Sequence, residues 1–211
     1  RKVTKLKKAA TSEDSATSTA HAEHRVDGRR TYYVLNPGKD LKSTQRTFES
    51  KFASNEGWSG VVGRAPSAEE YKSALVNSDI VVYCGHGAGQ NFLNENQLAA
   101  AQCRATTLLM GCSSGRLRDA GDFEPTGMAL KYLLAGAPAV VANLWDVTDK
   151  DIDAVTAAIL EDWGPTEDAA GLLDVVSTAR DKCRLRFING AAPVVYGLQV
   201  ARTASPNPTA L

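Results

Sequence analysis

Two segments of the chain set a chemically capable side chain between glycines directly after an apolar run. One reads Ile80-Val81-Val82-Tyr83 followed by Cys84-Gly85-His86-Gly87-Ala88-Gly89. The other reads Thr107-Leu108-Leu109-Met110 followed by Gly111-Cys112-Ser113-Ser114-Gly115. Thiolate is the attacking form of cysteine, and a neighbouring imidazole or open backbone amides favour it. The flanking glycines permit tight turns and leave N–H groups open to a ligand. A thiol and an imidazole in such surroundings suit acyl transfer. Cys112 attacks a carbonyl, the amides of Gly87 and Cys112 hold the developing oxyanion, and His86 polarises the carbonyl or protonates the leaving amine. Each residue also has a plain structural alternative. A cysteine after a buried strand often serves as a small core residue, and a histidine can cap a helix or satisfy a carbonyl. Zinc ligation by His86 with Cys84 or Cys112 fails on ligand count, because no second histidine or acidic cluster follows at zinc-like spacing. No metal and no cofactor is expected.

The elements that must position this pair are legible as an alternation. Six short apolar runs, at 32–35, 60–62, 80–83, 107–110, 139–144 and 194–196, suit strands buried on both faces, as in a parallel sheet. The segments 43–53, 67–76, 126–134, 148–163 and 169–187 read as helices. The second of them opens with a Ser67-x-x-Glu70 capping box, and the third stops at Gly136 and Pro138. Strand–helix alternation predicts an α/β domain with right-handed crossovers and a mostly parallel six-stranded sheet. Ligands in such sheets bind beyond the carboxyl ends of the strands. If the third and fourth strands are neighbours, His86 and Cys112 project side by side at that edge.

Composition bounds the rest. The 211 residues are 43% hydrophobic, enough for one sizeable core, and 24 basic residues balance 24 acidic ones. Zero net charge argues against direct nucleic-acid binding, which needs a basic excess. The longest apolar runs, such as 137–144, are too short to span a bilayer. Four cysteines (Cys84, Cys103, Cys112, Cys183) without a CxxC motif suit a reduced compartment, cytosolic or nuclear. The chain opens on Arg1, shows no secretory signal and reads as a fragment of something longer. Residues 1–28 read as a lead-in, flexible or the tail of an upstream domain, 29–202 as the folded domain, and 203–211 as an unstructured tail.

The order of apolar strand, His-Gly, spacer, apolar strand and Gly-Cys resembles the caspase-like (clan CD) cysteine peptidases. Most of that clan carries Gln/Glu-Ala before the cysteine, whereas this chain has Met110-Gly111. That departure, within the MGCSSG run at 110–115, resembles the separase family. Further matches are YYVLNPG at 32–38, Trp58-Ser59-Gly60, GHGAG at 85–89 and NLWDVTDKDID at 143–153. The resemblance implies a caspase-like three-layer α/β/α sandwich with His86 and Cys112 as a catalytic dyad. It implies a cysteine endopeptidase that cleaves after arginine, commonly within Glu-x-x-Arg. The implied substrate is the kleisin subunit of cohesin, whose cut releases sister chromatids at anaphase. Securin as an inhibitory pseudosubstrate, self-cleavage, upstream separase domains, and a place in cytoplasm and nucleus, on spindle and chromosomes in mitosis, are implied with it.

An arginine in the primary pocket needs a carboxylate, since a buried guanidinium without a partner is costly. Asp146, Asp149, Asp151 and Asp153 cluster after the fifth strand, with Asp153 and Asp151 the first choices and Asp149 next. Each could instead cap the following helix or meet its dipole. Arg116 and Arg118 could receive an acidic residue upstream of the scissile bond, or belong to a charged surface loop. Trp145 could wall the pocket or pack in the core. Two further readings are an inactive caspase-like scaffold that binds partners through the same crevice, and a CHAT-type protease with another target.

Overall fold

The computed structural model describes residues 24–163 and 171–203. The elements run β1 His24–Val26, β2 Thr31–Leu35, α1 Lys42–Ser54, β3 Ser59–Val62, α2 Ala68–Asn77, β4 Ile80–Cys84, α3 Glu95–Ala99, β5 Thr106–Leu109, β6 Arg118–Ala120 and β7 Phe123–Thr126. They continue as α4 Met128–Leu134, β8 Ala139–Asn143, α5 Asp149–Asp162, α6 Leu172–Ala179, a 3-10 turn Arg180–Lys182, β9 Pro193–Gly197 and β10 Val200–Arg202.

Strands that are apolar at every position must be covered on both faces, and period-two alternation divides their side chains between two layers. Leu35, Val82, Leu108 and Val141 face Phe48 of α1, Ile159 of α5 and Val175 of α6. Val34, Val81, Leu109 and Val140 face Tyr71 and Leu75 of α2 and Tyr132 of α4. The result is a three-layer α/β/α sandwich around a six-stranded sheet of order β3-β2-β4-β5-β8-β9. Every pair in it is parallel except β8 with β9. All six strands and the sheet type agree with the sequence reading.

The order places a topological switch between β2 and β4, where the chain leaves toward β3 and returns on the other side. Crevices form at such points beyond the strand ends. The Ser67 capping box also forms, with Glu70 N donating to Ser67 Oγ at 3.1 Å and Ser67 N to Glu70 Oε2 at 2.7 Å.

Departures from the sequence reading concentrate outside the sheet. His24–Val26, read as lead-in, forms a strand parallel to β10, and Thr203 N donates to Val26 O at 2.9 Å. The rest of the lead-in (1–23) and of the tail (204–211) lies outside the described residues. The helix read at 126–134 begins only at Met128, because Phe123–Thr126 pairs with β6 in a hairpin turning at Gly121, φ +67°. A Cβ on Gly127 would sit 2.7 Å from Arg116 O, so the chain passes too close to that loop to start its helix earlier. The helix read at 169–187 is shorter, ending at Ala179 and the 3-10 turn; residues 169–170 are outside the described set. Tertiary contacts override helix propensity there. Arg180 Nε donates to Pro193 O at 2.8 Å, and Arg184 N donates to Asp151 Oδ1 at 2.8 Å.

Phe48 is 1% exposed between α1 and the sheet, whereas Phe187 is 95% exposed. Phe48→Ala therefore costs about 3–5 kcal/mol of stability, and Phe187→Ser stays within about 0.5 kcal/mol of the parent. Denaturant unfolding of the two variants against the parent measures both.

Candidate active site

Tyr83 and Leu109 are register partners at the ends of β4 and β5, and Met110 N donates to Tyr83 O at 2.8 Å. The two glycine-flanked turns thus leave the sheet side by side. They also touch. A Cβ on Gly111 would fall 2.1 Å from Gly87 O and 2.5 Å from Gly85 O, so position 111 admits only glycine without a shift of backbone. Gly87 and Gly89 take φ of +63° and +70°, the left-handed region that glycine enters without strain. Tyr83 fastens the histidine turn by donating its hydroxyl to His86 O at 2.6 Å, and Tyr132 Oη donates to Ala88 O at 3.3 Å.

The geometry brings His86 and Cys112 to one recess at the carboxyl edge of the sheet, shared with Thr44, Asp149 and Asp153. The Cys112 thiol is half-buried and donates to Val147 O at 3.1 Å. The other three cysteines are buried. Burial pushes the Cys84 thiol well up, and those of Cys103 and Cys183 up to about 11, so all three are held as protonated thiols near neutral pH. On the other side of Cys112 a wider crevice runs past Gly87, Ser113, Arg116, Arg118 and Glu95.

Asp40 is a neighbour of His86 that the sequence reading missed. Its Oδ2 lies 2.8 Å from His86 Nε2, the geometry of an Nε2–H donating to the carboxylate. That bond holds the Asp40 carboxyl below its usual range. Asp40 sits in the loop after β2, which Asn36 folds from the left-handed region (φ +51°). Asn36 Nδ2 donates to Gln45 Oε1 at 2.7 Å, and Leu41 N donates to Asn36 Oδ1 at 2.9 Å. The available signal was an Asn-Pro-Gly turn closing a buried strand, with an acidic residue two positions on. The same carboxyl-end rule that singled out β4 and β5 applies to β2.

The acidic run separates into distinct environments. Asp146 accepts a hydrogen bond from Ser113 Oγ at 2.5 Å, which supports the left-handed Ser113 (φ +52°) directly after Cys112. Asp151 is not brought to the recess. It is 6% exposed and turned toward the 184–189 loop, where Arg184 N and Asn189 Nδ2 bond its two oxygens. Asp153 does line the recess, accepting from Thr44 Oγ1 at 3.1 Å, with the exposed Asp149 beside it. Burial pushes the Asp153 carboxyl up to about 6, against the Thr44 hydrogen bond, and the Asp149 charge adds to the upward push. Arg116 is exposed along the wider crevice, while Arg118 is drawn to Glu95 at 2.6 Å. Trp145 is 40% exposed and fastens the neighbouring loop, its Nε1 donating to Ile188 O at 3.0 Å.

A carboxyl whose pKa rises on folding costs stability once it ionises. The cost from Asp153 develops as pH climbs from about 4, its unfolded value, to about 6, and is complete above that. Asp153→Asn keeps an acceptor for Thr44. It is expected to raise the melting temperature at pH 7.5 and leave it unchanged at pH 4, as thermal melts across that range will read.

A family model described as the separin protease domain matches residues 2–152. The separin of Mus musculus is 46% identical over 176 residues, covering 83% of this chain and 8% of the mouse protein. That of Schizosaccharomyces pombe is 46% identical over 172 residues, covering 79% of this chain and 9% of its own length. The crystal structure of the Saccharomyces cerevisiae separase–securin complex at 2.6 Å matches with a TM-score of 0.81 at 34% identity, covering 87% of this chain and 13% of that one. The chain thus spans only a small part of the length of these relatives. Sequence and architecture agree across most of the described residues: the chain belongs to the separin protease-domain family.

Proposed function

We propose that this chain carries out arginine-specific peptide-bond cleavage, with Cys112 as nucleophile and His86 as acid and base. The observation that carries the reading is the shared recess: a half-buried thiol and an imidazole at its mouth, and a semi-buried carboxylate, Asp153, in its wall. The Cys112 thiolate adds to the carbonyl carbon of the scissile bond. The electron pair displaced to oxygen is stabilised by the N–H groups of Gly87 and Cys112. His86 takes the Cys112 thiol proton on Nδ1 and gives it to the leaving amine as the C–N bond breaks. It then draws one from the water that hydrolyses the thioester and returns it to the Cys112 sulfur. Asp40 keeps the imidazole turned with Nε2 outward, leaving Nδ1 for the reacting atoms.

The P1 arginine enters the recess toward Asp153, with Asp149 adding negative charge at its rim. A guanidinium beside Asp153 favours the charged carboxylate that burial disfavours, so ligand and pocket each relieve the other's desolvation. Asp151 is left out of this role because its oxygens already serve the 184–189 loop. Arg116, free of the carboxylate that engages Arg118, is the better placed of the two to receive the acidic residue of a Glu-x-x-Arg segment.

The kleisin subunit of cohesin is the proposed substrate, on the strength of family membership. The similarity to a separase solved with securin supports a securin-like segment lying in the same crevice as a pseudosubstrate. Upstream domains, as the much longer relatives suggest, and a site of action in cytoplasm and nucleus, reaching spindle and chromosomes in mitosis, belong to the same proposal.

Peptide acyloxymethyl ketones ending in arginine or aspartate test it. The arginine reagent is expected to label Cys112 and the aspartate reagent not, and His86→Ala is expected to cut peptide turnover by about 10²–10⁴-fold. Equal labelling by both reagents contradicts the pocket assignment. No labelling of folded protein favours a non-catalytic binding scaffold.

A further inference from the structure

Asn143 closes β8, is 1% exposed, and has no part in the chemistry above. Its Nδ2 donates to Gly111 O at 3.1 Å, while its Oδ1 is buried with no partner among the described residues. Turning the amide over would set Oδ1 against the Gly111 carbonyl, so the orphaned acceptor cannot be relieved that way. A buried polar atom without a partner is costly and calls for a reason. The backbone of Asn143 grips the same turn. Its N–H donates to Ser114 Oγ at 3.0 Å, that hydroxyl donates to Leu109 O at 2.6 Å, and Gly115 N donates to Asn143 O at 2.8 Å. The turn from 109 to 115 is therefore held from both sides of Cys112, and the Asn143 side chain fixes the remaining peptide between them.

That peptide is the one whose N–H belongs to Cys112. Peptide groups are planar and trans, so the Gly111 carbonyl and the Cys112 N–H point in opposite directions within one plane. Holding the carbonyl sets the direction of the N–H. The Gly87 amide lies next to the same peptide, since a Cβ on Gly111 would come within 2.9 Å of Gly87 N. We propose that Asn143 is a positioning residue of the nucleophile turn: through the Gly111 carbonyl it aims the Cys112 N–H, beside that of Gly87, at the oxygen of the attacked carbonyl. The inference rests on the protease reading given above. It explains why an asparagine with one idle, buried oxygen occupies this site.

The test compares Asn143→Leu and Asn143→Ser with wild type in the full-length protein. Five quantities are read: kcat and KM on an arginyl peptide amide, affinity for an arginine peptide aldehyde, alkylation of Cys112 by iodoacetamide, and melting temperature. The aldehyde adduct forms a C–S bond and places the former carbonyl oxygen where the oxyanion sits. Alkylation needs the thiolate but no oxyanion site. The expected result is a fall in kcat of about 10- to 100-fold, somewhat less than for outright loss of a donor. Aldehyde affinity falls in parallel, while KM and alkylation stay within about threefold. Retained kcat, or a kcat loss that aldehyde affinity does not follow, overturns the proposal. So does a joint fall of alkylation and melting temperature in both variants, because that marks Asn143 as merely structural. Wild-type protein that neither turns over the amide nor labels at Cys112 overturns the protease reading instead, a distinguishable result.

Discussion

The site depends on one contact between two stretches of backbone. Gly111 rests against Gly85 and Gly87 so closely that a single added carbon would overlap a carbonyl oxygen. This contact sets the imidazole turn of β4 beside the thiol turn of β5, at the parallel edge where the sheet provides a crevice. The α/β/α frame serves it. Two apolar layers fix the sheet, and buried tyrosine hydroxyls from β4 and α4 hold the histidine turn from beneath. Asn143, on the next strand, holds the cysteine turn from the opposite side. Side chains on β4, β8 and α4 thus converge on the two turns that flank the site.

Four aspartates within eight residues carry the same formal charge but meet different surroundings. Asp146 serves the left-handed serine after Cys112, and Asp151 organises the loop behind α5. Asp149 stays solvated at the rim of the recess, and Asp153 is the one drawn partly out of solvent into its wall. Burial there pushes its carboxyl up to about 6 and makes it responsive to an incoming cation. Charge count alone could not have sorted them; what each side chain meets in the fold did.

The sheet was legible because its strands carry short continuous apolar runs, which need cover on both faces. The His86 and Cys112 turns were legible because glycines bracket them at strand ends. Asp40 was not, although its loop also leaves a strand end, because a lone acidic residue after an Asn-Pro-Gly turn has no local feature that sets it apart from surface charge. Its meaning arises only when the β2–β4 pairing brings it beside an imidazole 46 residues away. Asp151 misled for the complementary reason. Position in an acidic run at a helix start made it resemble its neighbours, while its partners, Arg184 and Asn189, lie over 30 residues further on. The same long-range bonds cut α6 short of its helical pattern. Periodicity reports what a segment prefers, and these bonds were decided by what it meets.

The most direct test of the account is a crystal structure of the protein treated with an arginine peptide aldehyde. Continuous density is expected from Cys112 Sγ to the former aldehyde carbon, with its oxygen within about 3 Å of both the Gly87 and Cys112 amide nitrogens. The guanidinium is expected to pair with Asp153, and the His86–Asp40 bond to be kept. An adduct on another cysteine, or an arginine side chain lying outside the recess, would contradict the account.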